Sequence, residues 1–229
     1  MKSSTLTYLT LVVGISVPVV YAQIPKYPPV EQYLMPQADE ITLAKTAAPA
    51  SISDRATIKV LTKSGFEVTQ KGDNGSVCMV MRGFSAPTYT PAQFRNLVYD
   101  PTARSPICFT PAAVRTVMPY YELRTKLALQ GKSPDEIAAG VEAAYAKGEL
   151  PKRSEVSFAY MWSARQNLGG GIGHWHPHVM IFAPYYENSG VGGNPFGSPL
   201  PQLTDDAGTP FAVVVVPVDH KLAIGGEMK

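Results

Sequence analysis

Whether Cys78 and Cys108 are bonded to each other decides more about the fold of this 229-residue chain than any other feature, because they are its only two cysteines. A bond between them closes a loop of about 30 residues. In the chain-entropy account that stabilises the folded state by roughly 3 to 4 kcal/mol, less any native strain. Thiols pair in oxidising compartments and stay reduced in the cytosol, so the destination of the chain settles the expectation.

The N-terminus answers that question. Lys2 and a few polar residues precede an apolar run from Leu9 to Val20, and Val20-Tyr21-Ala22 leads into Gln23. This is the layout of a secretory signal, with compact residues where the peptidase reads. Thr10, Gly14 and Pro18 interrupt the run, which falls short of the about 20 apolar residues that cross a bilayer. An uncleaved anchor is the alternative. No cysteine stands at the cleavage point, which argues against lipid modification. The expected location is therefore secreted or periplasmic, and the expected state of Cys78 and Cys108 is a disulfide. Two separate buried thiols are the other reading. A catalytic role for Cys78 is disfavoured, because Val77-Cys78-Met79-Val80-Met81 offers an apolar setting hostile to a thiolate.

Removing the first 22 of 229 residues leaves 207, enough for one domain with a substantial core. The expected organisation is a signal peptide over 1–22, an N-terminal arm over 23–50, a single domain over 51–222 and a tail over 223–229. The formal charge is +2, one unit of it on Lys2, and long charge runs are absent. Nucleic acid is therefore not an expected partner. No segment of the mature chain is long and apolar enough to be read as transmembrane, and export argues against nucleotide-dependent chemistry.

The 21 Pro and 19 Gly divide the mature chain into short elements linked by long loops. A helix capped by Ser53 is expected to carry Ala56, Val60 and Leu61 up to Gly65. A β-hairpin follows, with strands on either side of an Asn74-Gly75 turn. Residues 83–109, rich in turn formers, are expected to cross the surface. Thr110-Pro111 opens a helix ending at Gly131, with Pro119 bending or dividing it. Ser133-Pro134-Asp135-Glu136 has the pattern of a capping box, opening a helix that Gly148 stops. Strands are expected near 156–162, 179–183 and 211–218, the last apolar on both faces and so inside the sheet. The fold class is α+β, a mainly antiparallel sheet of about five strands with helices packed on one face.

Chemistry concentrates in Gly173-His174-Trp175-His176-Pro177-His178, which holds three of the four histidines. In extended backbone His174, His176 and His178 share one face. Pairs of imidazoles at i and i+2 recur as ligands of zinc, copper and iron, so a transition-metal ion is the candidate cofactor. The outer two Cα atoms of a straight strand lie roughly 13 Å apart, so one ion cannot take all three unless the backbone bends, as Pro177 permits. Glu187 and His220 are possible additional ligands, with Asp219 and Glu155 behind them. The competing readings are a metal-free polar cleft and a structural cluster packed by Trp175. A cupin-like His-x-His spacing is approached, but apolar Met180–Ala183 stands where a carboxylate is needed.

Other features carry less. Leu168–Gly173 offers backbone N–H groups but lacks the Lys and helix of a phosphate loop. Arg82, Arg95, Arg104 and Arg115 are better read as salt-bridge and surface residues than as a carboxylate site. Met79, Met81, Met161 and Met180 read as core. The common serine-hydrolase, zinc-protease and thioredoxin motifs are absent.

Gly65-Phe66, Asn74-Gly75 with Cys78, Pro106-Ile107-Cys108-Phe109 and the 173–178 segment together resemble a family of uncharacterised secreted bacterial proteins, over about residues 50 to 220. The resemblance implies export and a single domain, and it implies neither an activity nor ligand residues. Three function classes follow: an exported metal-binding protein, a metal-dependent or acid–base enzyme of the periplasm, and a non-catalytic structural or interaction domain.

Overall fold

The computed structural model describes residues 27–84, 99–169, 173–195, 197–204 and 206–225. The expected signal peptide and Arg95 lie outside these residues.

After a 3-10 turn at Val30–Tyr33, the chain forms helices α1 (Gln37–Lys45) and α2 (Ala50–Ser53) and strands β1 (Thr57–Thr62), β2 (Gly65–Gln70), β3 (Val77–Met81) and β4 (Ser105–Phe109). Helices α3 (Pro111–Thr116), α4 (Met118–Leu129) and α5 (Pro134–Ala146) follow. Strands β5 (Ser157–Met161), β6 (His178–Phe182), β7 (Gln202–Leu203) and β8 (Val213–Pro217) complete the sheet. Its eight strands run in the order β2-β1-β3-β4-β5-β6-β8-β7. The class is α+β as expected, but the sheet is larger than five strands and mixed, because β1 and β3 are parallel while the other pairs are antiparallel.

Several local readings hold. Pro119 sits at the start of α4, directly after the break that divides it from α3. The capping box is formed: Glu136 N donates to Ser133 Oγ at 3.2 Å, and Ser133 N donates to the Glu136 carboxylate at 2.8 Å. β8 lies inside the sheet between β6 and β7.

Two readings fail. Residues 57–62 are a strand, not a helix continuing from Ser53. The spacing of Ala56, Val60 and Leu61 suits either, but Thr57, Ile58, Val60 and Thr62 are β-branched, and β2 and β3 pair with this segment from both sides. The hairpin is likewise β1–β2, turning at Lys63-Ser64, where Thr62 Oγ1 accepts from Ser64 N and donates to Gly65 O. Asn74-Gly75 instead leads the chain past the start of β1 into β3. Gly72 is required on that path, since a Cβ there would lie 2.2 Å from the Arg55 carbonyl oxygen. A strand, β4, also emerges from the stretch expected to be irregular.

Both sheet faces are covered, which corrects the one-sided expectation. Met79, Ile107, Phe109, Ala159, Met161, Met180, Phe182, Val213 and Val215 pack with Tyr121, Ile137 and Val141 from the helical layer of α4 and α5. Alternate residues Cys78, Val80 and Cys108 face the other way, against Leu43, Ala44, Ala47 and Ala48 of α1 and its C-terminal turn. Each fully buried large apolar side chain contributes about 1.5 to 3 kcal/mol relative to exposure. All five residues of β3 and all five of β4 are buried for this reason. Cys78 and Cys108 stand opposite each other in the β3–β4 register and are disulfide-bonded, as expected.

The segment before residue 50 is tied down by charge as well. Arg82 and Glu40 are 0% and 1% exposed. The guanidinium donates to Glu40 Oε2 at 2.7 Å and to Tyr33 O at 2.7 Å, while Glu40 Oε1 accepts from Leu61 N at 3.0 Å. Among the described residues, no helix is long and apolar enough to cross a membrane.

Candidate functional site

Strand β6 begins at His178, so the three histidines do not line one strand face. Residues 173–177 are irregular, and the side chains differ accordingly: His174 is exposed, His176 half-buried and His178 buried at 1% exposure. Strand alternation would set Trp175 on the opposite face from the histidines, yet its ring lies 4.9 Å from that of His176 and 4.8 Å from that of His178. Strand alternation does not apply before the ladder begins.

Gln166 holds this segment in place. Its Nε2 donates to the carbonyls of Trp175 at 2.9 Å and His176 at 3.0 Å. A lone glutamine in the sequence carries no sign of this role. His178 adds a third constraint, with Nδ1 2.9 Å from the His176 carbonyl oxygen. A carbonyl only accepts, so Nδ1 carries the hydrogen and Nε2 of His178 keeps its lone pair. Burial pushes His178 down to about 4, against the opposing pull of that hydrogen bond. His176 is also lowered, by burial first and then by the neighbouring His220.

The pairing of β6 with β8 brings His220 to this site. His178 stands opposite Pro217, and Val218 N donates to Pro177 O at 2.9 Å, so the pairing continues outward past the strand ends. The next residues reach the turn His220–Leu222, where Asp219 Oδ1 caps Lys221 N. The rings of His176 and His220 meet edge to face with centroids 5.7 Å apart. Nε2 of His176 is buried and has no hydrogen-bond partner.

The remaining candidates are elsewhere. Glu187 follows the opposite end of β6, with its carboxylate against Gly208. Glu155 faces Arg115 at 3.6 Å on the surface. Arg82 is committed to Glu40, and Arg104 donates to the carbonyls of Pro101 and Ala103, with burial lowering it to about 10. Gly170–Ile172 lie outside the described residues. Among the described residues, no three of His, Cys, Asp and Glu form a group placed to hold an ion.

The arrangement therefore offers two imidazoles from different loops, one with a desolvated nitrogen, on a segment fixed by Gln166 and His178. Comparison with known proteins finds no matching family model, no matching curated protein and no matching solved structure.

Proposed function

We propose that this chain is an exported protein that binds a transition-metal ion through His176 and His220. The observation that carries the reading is the buried, unpartnered Nε2 of His176 beside the His220 ring. An ion about 2.0 to 2.1 Å from one nitrogen of each imidazole holds the two ring centroids roughly 5 to 6 Å apart. The 5.7 Å separation falls in that interval. Divalent copper is the strongest binder of such a nitrogen pair in the first-row series, with zinc below it. In this reading His178 positions the His176 backbone, and His174 stays on the solvent side. Export is supported by the leader-like N-terminus together with the Cys78–Cys108 bond.

The experiment is metal titration of untagged protein by calorimetry with Cu(II) and Zn(II), for the unaltered chain and for His176→Ala, His220→Ala and His174→Ala. One ion per chain, lost in the first two variants and kept in the third, is the expected result. Equal uptake by the unaltered chain and His176→Ala overturns the reading.

A further inference from the structure

Near the far end of β6 from the histidines, a cavity of about 370 Å³ opens between α5, the segment after it and the residues before β8. Tyr145, Tyr185, Pro210 and Phe211 line its walls, with Arg153 among them and Glu142 and Lys152 as its two exposed charged residues. The volume is that of a small-molecule site.

Arg153 makes this cavity unusual. Gly148, with φ of +72°, ends α5 in a left-handed turn, and Glu149 N and Leu150 N bond back to Ala144 O. The chain reverses there, and Arg153 is only 6% exposed. Its guanidinium carbon lies 4.5 Å from the Tyr120 ring centre, 4.7 Å from that of Phe211 and 5.9 Å from that of Phe182. Among the described residues no carboxylate pairs with it, and its Nε and Nη2 are buried without an acceptor. The Tyr145 hydroxyl, also in the cavity wall, lies beside this guanidinium. Ring faces offset only part of the cost of an unpaired buried cation. An anion entering the cavity would supply the rest.

A second, independent observation marks the same place. Tyr185, in the cavity wall, is the one described non-glycine residue with positive φ, at 63°. A bulky side chain in that conformation is an outlier held by its surroundings, here by Tyr185 N donating to Thr209 O at 2.8 Å. The result is an aromatic ring, 64% exposed, at the cavity. Such strain concentrates at ligand clamps.

We propose that this cavity binds a small aromatic monocarboxylate, its carboxylate on the Arg153 guanidinium and its ring against Phe211 and Tyr185. The planar fork of a guanidinium matches two carboxylate oxygens. The aromatic and proline walls favour an organic body over an inorganic anion. Glu142 and Lys152 offset each other in the lining, which leaves the single charge of Arg153 to match a single carboxylate.

The test is calorimetric titration of the full exported chain with phenylacetate, its neutral isostere phenylacetamide and inorganic phosphate, in the presence of a metal chelator. Saturable binding of one phenylacetate per chain is expected, with phenylacetamide at least about tenfold weaker, since hydrogen bonds to a charged group carry that much discrimination. Phosphate does not compete. Arg153→Met abolishes phenylacetate binding without lowering the thermal midpoint, because it removes an uncompensated charge. Equal affinity for acid and amide, no saturable phenylacetate binding, or displacement by phosphate overturns the assignment. The acid-against-amide comparison needs no variant, so it decides even if Arg153→Met does not fold. The chelator and a parallel titration of His176→Ala keep this outcome separate from that of the histidine site.

Discussion

Glu40→Ala is expected to destabilise the protein by about 3 to 5 kcal/mol, the cost of stripping a buried ion pair of one partner. The structure supplies the reasons. Arg82 is fully buried, so its charge cannot recover water when the carboxylate goes. Leu61 N loses its acceptor at the same time, which leaves a buried backbone donor unpaired. Tyr33 O and the Val80 carbonyl still accept from the guanidinium, which keeps the cost from rising further. Urea unfolding followed by the fluorescence of Trp162 and Trp175 measures the difference. The slope against denaturant should be unchanged if only stability has moved. The double variant Glu40→Leu with Arg82→Met should recover most of the loss, because a well-packed apolar pair of similar volume replaces a buried ion pair at little cost. A loss below about 1 kcal/mol for Glu40→Ala, or a double variant no better than the sum of the singles, would refute the account. It would mean that residues 30–48 rest on the sheet without contributing to the cooperative unit.

Replacing Cys78 and Cys108 together by Ala should cost roughly 3 to 4 kcal/mol, from the loop of 30 residues that the bond closes. The same unfolding assay reads it, and a reducing agent should bring the unaltered protein down to the variant's level. The capping box gives a pH signature. Glu136 is drawn down to about 2, chiefly by its hydrogen bond with Lys132 and then by Ser133 N, so its stabilising effect is complete above the ordinary carboxylate range and is lost as pH falls toward 2. The gap in urea midpoint between the unaltered chain and Glu136→Gln should therefore narrow from about pH 5 downward. A gap independent of pH would show that the charge of Glu136 plays no part.

Features carried by a few neighbouring residues were legible in the sequence. Ser133 to Glu136 capped α5 because both hydrogen bonds of that cap form within one turn. Pro119 divided α3 from α4 because a proline denies its own helix a backbone donor wherever it occurs. The run at β8 was visible as an inside strand because a strand covered on both faces is apolar at successive positions. The disulfide was foreseeable from the leader-like N-terminus and from there being only two thiols in the sequence.

What remained was decided between segments distant in the chain. Thr57–Thr62 became a strand because β2 and β3 were there to pair with it, a fact no local window contains. The histidine row read as a strand face, yet the ladder starts at His178, so burial separates His174 from His178 and the β6–β8 pairing gives His176 a neighbour 44 residues away in His220. Arg153 drew no notice in the sequence, where an isolated arginine after a helix suggests a surface residue. Only the packing of Tyr120, Phe182 and Phe211 around it turned that side chain into a buried cation facing a cavity, because burial and charge compensation are properties of surroundings and not of residue type.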